Sequence, residues 1–279
     1  MTDFADLSEL VNRMTGGNNG LPQNIPVYKD ARVGAAAASA TIAGRLTSLW
    51  EYNGSPSHGA APGAVAVPTN ATVGALRQTN PSGGRQLWCT GVWAHGLAAG
   101  TLTLYDRLLH ISGFSGTSTS AQNVGGALTR YTGTASQGNE IWVEIYTIIG
   151  TVSTTITASY TNQDGNGGTT QATAIGAAGF REAQRVIKLP LASGDNGVRG
   201  VTSVTLATTT GTVGNFGVVI ARPLITIPLP NPGVGYVRDL VAQQPGIQEI
   251  LTDACLAWLW QANGVTVPQI HAGVQLVER

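Results

Sequence analysis

The feature that most constrains this chain is a series of strand-like segments between residues 86 and 227. Each is rich in valine, isoleucine, threonine or aromatic residues, which favour strands, and turns rich in glycine, asparagine and serine separate them. The segments are 86–95, 100–111, 138–149, 151–161, 183–191, 198–208 and 213–227. No helix of crossover length interrupts them, so parallel pairing is disfavoured. The pattern predicts a mainly β fold, an antiparallel β-sandwich with jelly-roll-like topology.

Residues 140–147 show the strand period most clearly. Acidic and aromatic side chains alternate with β-branched ones along the whole segment. Glu140, Trp142, Glu144 and Tyr146 share one face, and Ile141, Val143 and Ile145 share the other. A period of two predicts a half-buried strand.

The N-terminal region has a different character. A short N-terminal helix is predicted at residues 3–14, where Phe4, Leu7, Leu10 and Val11 lie on one stripe. So short a helix is marginal alone in water, and its apolar face must dock either on the body of this chain or on a neighbouring protein. Residues 16–85 are broken by glycine, proline and asparagine, and they predict an extended N-terminal arm laid across a partner. The helix and arm form a first region, 1–85, before the sandwich body, 86–227.

The last region, 228–279, is predicted to contain a C-terminal helix and an extended tail. Apolar residues recur at helical spacing from Ile247 to Leu259, and Asn263-Gly264 would end the helix. Trp258 and Trp260 would then lie about 200° apart, which requires burial on two sides. The helix could lie between the sheet and the arm, or at a subunit interface, where tryptophan is enriched. The candidate interface residues are Phe4, Leu7, Leu10, Val11, Trp258 and Trp260.

The charge content limits the choice of partners. Charged residues make up 11% of the chain, with 15 basic and 15 acidic residues and no net charge, against roughly a quarter in ordinary soluble domains. A neutral chain has no long-range field to attract nucleic acid or an anionic membrane, whereas a weakly charged surface is prone to self-association. No apolar run approaches the ~18 residues of a membrane span, and the N-terminus lacks signal-peptide features. We expect protein partners, without nucleic acid or membrane.

No residue pattern in the sequence indicates catalysis. Glu140 and Glu144 would lie about 13 Å apart on one strand face, beyond the roughly 5–9.5 Å of glycosidase carboxyl pairs. The histidines lack metal-ligand spacing, although His95 and His110 could meet across adjacent strands. No glycine-rich phosphate loop is present, and the arginines are scattered, which predicts local ion pairs with neighbours such as Asp106. We expect a non-enzymatic protein with no catalytic residue, metal or cofactor.

The two cysteines, Cys89 and Cys255, lie in apolar segments far apart in the chain. This setting predicts two buried thiols, because free cysteine behaves as a small hydrophobic residue. A disulfide between them is the alternative.

Three segments carry a family resemblance. Residues 100–113 (GTLTLYDRLLHISG), 138–147 (GNEIWVEIYT) and 179–185 (GFREAQR) resemble structural proteins encoded in the virion modules of tailed bacteriophages. The resemblance extends from Leu7 to about Ile227 and includes no catalytic signature. It implies a capsid decoration (cement) protein that binds and stabilises the capsid surface of the virion, made in the host cytoplasm. It also implies the major capsid protein and copies of the chain itself as partners, with a trimer favoured because capsid lattices offer local three-fold positions.

The alternative within the same resemblance is a tail or fibre-base protein that binds a receptor or glycan. Trp88, Trp93, Trp142 and Tyr146 are the aromatic residues that could stack on sugar rings. Cross-strand or core packing is the other role open to these four side chains.

Overall fold

The computed structural model describes residues 6–17, 22–31, 41–242 and 246–279. Strands hold 47% of the residues and helices 5%, and the sheets are antiparallel, so the mainly β prediction is confirmed. The helices are α1 (Leu7–Met14) and a 3₁₀ turn (Gly133–Ser136). The strands are β1 (Gln23–Asp30), β2 (Leu46–Ser48), β3 (Asn53–Ser55), β4 (Leu87–Gly96), β5 (Gly100–Phe114), β6 (Gln122–Asn123), β7 (Glu140–Thr147), β8 (Thr154–Asn162), β9 (Gly167–Thr169), β10 (Thr173–Ile175), β11 (Arg185–Leu189), β12 (Val198–Leu206), β13 (Asn215–Leu229), β14 (Tyr236–Asp239), β15 (Gln248–Ile250), β16 (Leu256–Ala262) and β17 (Gln269–Glu278).

A closed barrel of six antiparallel strands lies at the centre, in the order β11-β2-β16-β5-β13-β7. Its longest strands, β5 and β13, have 15 residues each and pair along nearly their whole length. The barrel interior is filled by side chains that alternate along the strands with those facing outward. They include Tyr105, Trp142, Val219, Ala257 and Leu259.

Two further sheets cover the barrel. One has the order β14-β4-β17-β1-β3, with β15 also paired to β4, and the other has the order β10-β8-β12-β6, with β9 paired to β8. The first core joins Leu102 and Ile227 of the barrel to Ala272 of the six-stranded sheet. The second core joins Leu109 and Ile220 of the barrel to β8 and β12 of the five-stranded sheet. The two sheets therefore cover opposite ends of β5 and β13. A two-sheet sandwich with jelly-roll topology is not confirmed.

Strand β7 shows how the barrel changes the sequence-based interpretation. Ile141, Val143 and Ile145 face the second core, as their alternation requires. The opposite face, with Trp142 and Glu144, is also buried, because it lines the barrel interior. The strand is therefore buried on both faces, where the sequence predicted only one.

The predicted C-terminal helix is wrong, because residues 256–262 form strand β16 between β2 and β5 of the barrel. Trp258 and Trp260 point to the same side, into the first core, whereas Ala257 and Leu259 point into the barrel. A segment buried on both faces is apolar at nearly every position, so helical spacing can be found in it by chance. The apolar run that predicted one helix in fact covers two short strands, β15 and β16, joined by a turn.

The described part of the predicted arm packs against its own chain. Strand β1 pairs with β17 over eight residues, and β2 closes the barrel between β11 and β16. The prediction of an extended arm is therefore wrong for these residues, whose backbone groups find partners within the protomer. Strand pairs also cross both predicted region boundaries, at 85/86 and at 227/228. The predicted helix at residues 3–14 is observed only from Leu7, after the cap residue Asp6, and residues 1–5 lie outside the described ranges.

The position of β16 predicts that its tryptophans stabilise the fold. Trp260→Ala should lower the free energy of unfolding by about 3–5 kcal/mol, since the side chain is fully buried in the first core. Val265→Ala, at an exposed position just after the same strand, should change it little. Urea unfolding of both variants measures the difference. Equal midpoints would contradict a central position for β16.

Candidate functional site

The N-terminal helix α1 is attached to the β-sheet part of the protein through its polar side chains. Asp6 caps the helix by accepting a hydrogen bond from the backbone N–H of Glu9 at 2.8 Å. The Glu9 carboxylate then pairs with Arg13 at 3.1 Å and with Arg279 at 3.4 Å. The second pair ties the helix to the end of the chain beside β17.

The apolar stripe of α1 is only partly covered. Leu10 is 5% exposed and packs against Trp88 and Val277. Leu7 and Val11, predicted on the same stripe, are 63% and 51% exposed. Phe4 lies outside the described residues. Of the candidate interface residues, Leu7 and Val11 thus remain at the surface of the protomer.

Trp258 and Trp260 are not surface residues. Both side chains are buried in the first core of the protomer. Neither indole nitrogen has a hydrogen-bond partner within the described ranges. Their burial accounts for their apolar setting without a subunit interface.

A buried ionic cluster occupies the barrel interior, centred on Arg107 of β5. Its Nη2 donates to Glu144 Oε2 and to the Tyr146 hydroxyl, each at 2.6 Å, and its Nε donates to Nδ1 of His110 at 2.9 Å. The guanidinium also lies over the Trp50 ring, 4.6 Å from its centroid. Burial opposes the charge, but Glu144 and the tyrosines hold the pKa of Arg107 well above its ordinary value. Arg107 is therefore a permanently charged, fully partnered group.

Glu51 joins this cluster from the segment that follows β2. Burial and the nearby Glu144 raise the pKa of Glu51 from its ordinary value of 4.5 to about 8. The amide of Gln184 donates to Glu51 Oε2 at 3.4 Å. Gln184 has a positive φ of 61°, and its backbone bridges Ile145 of β7 and Ser48 of β2. This unusual backbone conformation brings a polar side chain to a position where the barrel strands converge.

A second ion pair lies on the neighbouring residue of β5. Arg130 donates to both carboxylate oxygens of Asp106, at 2.8 and 2.9 Å, and Oδ1 of Asp106 also accepts from the backbone N–H of Cys255 at 2.8 Å. Asp106 therefore pairs with a residue 24 positions away, and Arg107 with one 37 positions away. The predicted local pairing is wrong for Arg107, because adjacent strand residues such as Asp106 and Arg107 point to opposite faces, and it is wrong for Arg130, whose partner is distant in sequence. It is confirmed for Arg181 and Arg185, which both pair with Glu182.

Neither ion pair is arranged for acid–base chemistry. The surface hollow beside the cluster, about 460 Å³, is lined by Trp50, residues 60–66, Thr72, Val73 and His110. His110 is the one ionisable side chain in that lining, and burial together with Arg107 lowers its pKa to about 3. His110 thus stays neutral at physiological pH, and its Nδ1 already accepts from Arg107. The hollow brings no second acid or base into reach of a ligand.

The cysteines and histidines lie in separate parts of the fold. Cys89 and Cys255 are both free and buried, in the first core and the barrel interior respectively, which confirms the prediction of two buried thiols. His95 stacks on His271, and His110 lies elsewhere, in the barrel cluster, so the suggested meeting of His95 with His110 is wrong. Among the described residues, no group of three or more histidine, cysteine or acidic side chains could hold a metal ion.

The four aromatic residues considered for sugar stacking differ in their burial. Trp142 and Tyr146 are inside the barrel, and Trp88 is buried under Leu10. Trp93 is the exception, since it is only half-buried. Trp93 therefore remains able to contact a ligand.

No known protein family, characterised protein or solved structure matches this chain. None of the helices in the described ranges is long and apolar enough to cross a membrane.

The Arg107–Glu144 pair yields a test of its structural role. Arg107→Met should destabilise the protein by about 3–5 kcal/mol, because Glu144 would be left buried without its counter-ion. The double variant Arg107→Met/Glu144→Leu should recover most of the loss, since both charges are then gone. Urea unfolding of the single and double variants provides the comparison. A double variant as unstable as the single one would refute the pairing.

The raised pKa of Glu51 predicts a pH-dependent stability. Folded Glu51 binds its proton more tightly than the unfolded chain does, so its contribution is complete below about pH 4 and is lost as the pH rises towards 8. Glu51→Gln, which cannot ionise, should therefore melt at a higher temperature than the wild type, by a margin that grows from pH 5 to pH 8 and then levels off. Calorimetry across this range measures the margin, with Glu249→Gln on β15 as the control. A margin independent of pH would contradict the assignment.

Proposed function

We propose that this protein is a non-enzymatic structural component of a tailed-phage virion that binds and stabilises the capsid surface as a homo-oligomer. The observation that carries the proposal is the half-covered apolar stripe of α1. Leu7 and Val11 are largely exposed while their neighbour Leu10 is buried, so the helix already lies on the protomer and presents its remaining apolar face outward. An exposed apolar helix face is a ready surface for a protein partner.

The attachment of α1 supports this role. The pair Glu9–Arg279 and the packing of Leu10 on Trp88 and Val277 fix the helix orientation before any partner binds. Such preorganisation lowers the entropy that binding would otherwise cost. The choice of capsid as the partner rests on the resemblance of residues 100–113, 138–147 and 179–185 to virion proteins.

The mechanism is burial of apolar area in many copies. Apolar surface that is removed from water contributes about 25 cal/mol per Å² to the free energy of binding. A single α1 stripe is small, but a lattice presents many equivalent positions, and an oligomer can occupy several at once. The low charge of the chain reduces electrostatic repulsion between neighbouring copies.

The proposal predicts the effect of charging the helix stripe. The double variant Leu7→Glu/Val11→Glu should reduce co-sedimentation with phage heads by about tenfold or more, because two carboxylates would be desolvated at the contact. Its unfolding midpoint should stay near that of the wild type, since both side chains are exposed. Co-sedimentation with heads that lack the protein is the measurement.

Val213→Glu is the matched control, because Val213 is 58% exposed but lies in the connection before β13, away from α1. It should bind heads like the wild type. Undiminished binding by the double variant would refute the role of α1, and imaging of native particles would refute capsid decoration if copies occurred only at one vertex.

A further inference from the structure

The outer face of the six-stranded sheet carries a row of three rings across three neighbouring strands. His95 of β4 lies opposite His271 of β17, and His271 lies opposite Tyr28 of β1. The two imidazoles are parallel within 6°, with centroids 4.6 Å apart, and the Tyr28 ring is 4.6 Å from His271. The alternate residues on these strands, such as Ala94 and Ala272, face the first core, so the rings point away from it. All three side chains are partly exposed.

Trp93 extends this row along β4. Its cross-strand neighbour is Gly273, where an added Cβ would lie 2.2 Å from the indole Nε1. The indole therefore lies directly against the backbone of β17 and occupies the space of the missing side chain. Trp93 is half-buried, so the ring is held on the sheet while part of it stays open to solvent.

Polar groups border the rings on both sides. On one side, Asp30 Oδ2 accepts from the Tyr28 hydroxyl at 2.6 Å and from the Gln269 amide at 3.2 Å. On the other side, Asn24 and Gln275 lie opposite each other on β1 and β17, and both are exposed. The face thus combines partly exposed rings with amides that both donate and accept hydrogen bonds.

The three strands that carry the rings place no fixed positive charge on this face. The side chains that point to it from β1, β17 and residues 91–95 of β4 include no lysine or arginine. Lys29, although part of β1, points inward and donates to the carbonyls of Tyr52 and Pro56. Partial burial and the neighbouring His95 lower the pKa of His271, which favours the neutral form of its imidazole. A polyanion such as nucleic acid would find no cation for its phosphates on these three strands.

We propose that this aromatic face, formed by Tyr28, Trp93, His95 and His271, binds a neutral oligosaccharide. The apolar C–H faces of sugar rings pack on aromatic rings, and their hydroxyls are donors and acceptors suited to the bordering amides of Asn24 and Gln275. The row spans about 10 Å across three strands, enough for a short oligosaccharide rather than a single ring. The site uses none of the residues of the α1 stripe, and it gives the tail or fibre-base alternative a specific glycan surface.

The test uses the full chain and an array of neutral and acidic bacterial oligosaccharides, with heparin as the polyanion. Titration of the best-bound neutral oligosaccharide should show about tenfold weaker affinity for Trp93→Ala and near wild-type affinity for Trp93→Phe, which retains a ring. Gly273→Ala keeps the indole but forces it off the backbone, so it should also weaken binding. The unfolding midpoints of all three variants, compared with that of the wild type, show whether a loss of binding comes from a loss of fold.

The proposal would be overturned if no neutral oligosaccharide on the array bound, or if Trp93→Ala bound with the same affinity as the wild type. It would also be overturned if heparin bound more strongly than the neutral oligosaccharides. A self-association that Trp93→Ala abolishes would instead assign the face to a second copy of the chain. Head binding separates this proposal from capsid decoration, since Trp93→Ala should co-sediment normally and Leu7→Glu/Val11→Glu should bind oligosaccharide normally.

Discussion

Closing a barrel around an arginine places a full positive charge where water cannot stabilise it, and the centre of this protein is organised around that constraint. Arg107 is satisfied by Glu144 and Tyr146 from β7 and by His110 from its own strand. A one-residue slip of β7 would turn Glu144 to the second core and leave Arg107 without its counter-ion. Because an unpaired buried charge is far more costly than a lost apolar contact, the pair selects one register among those that the apolar residues of β7 would tolerate.

The same two strands also explain why the protein has two outer cores. In β5, an apolar N-terminal part (Leu102, Leu104) faces the six-stranded sheet and an apolar C-terminal part (Leu108, Leu109) faces the five-stranded one. The polar pair Asp106-Arg107 lies between them, at the change from one core to the other. Since adjacent residues point to opposite faces, Arg107 enters the barrel, while Asp106 holds Arg130 and the backbone of Cys255. Each charge thereby ties a different part of the chain to β5.

The strand character of 140–147 was readable from the sequence because its alternation is a local property, and the buried thiols followed from their apolar neighbours. The barrel was not readable, since its closure depends on pairs such as β16 with β2 that join residues about 200 positions apart. The prediction of a helix near Trp258 was wrong because a strand buried on both faces loses its period of two.

For the site, Trp93 was among the aromatic residues considered, whereas the row of His95, His271 and Tyr28 depends on cross-strand register. The acidic-basic dipeptide Asp106-Arg107 within an apolar strand is the sequence signal that could have indicated a buried cluster, but it was interpreted as a local ion pair.

The distribution of charge connects this interior to the surface. The chain has 30 charged residues, and eight of those in the described ranges are buried: Lys29, Asp30, Asp106, Arg107, Arg130, Glu144, Arg185 and Glu278. The fraction of charged residues, 11%, therefore overstates the charge that a partner contacts, because the eight buried charged residues hold strands and loops in place. The surface that remains consists mainly of amides, hydroxyls, rings and a few apolar side chains, with the other charged residues scattered among them. Such a surface binds through shape, apolar contact and neutral hydrogen bonds rather than long-range attraction, so both an apolar helix contact and a neutral sugar suit it better than any polyelectrolyte.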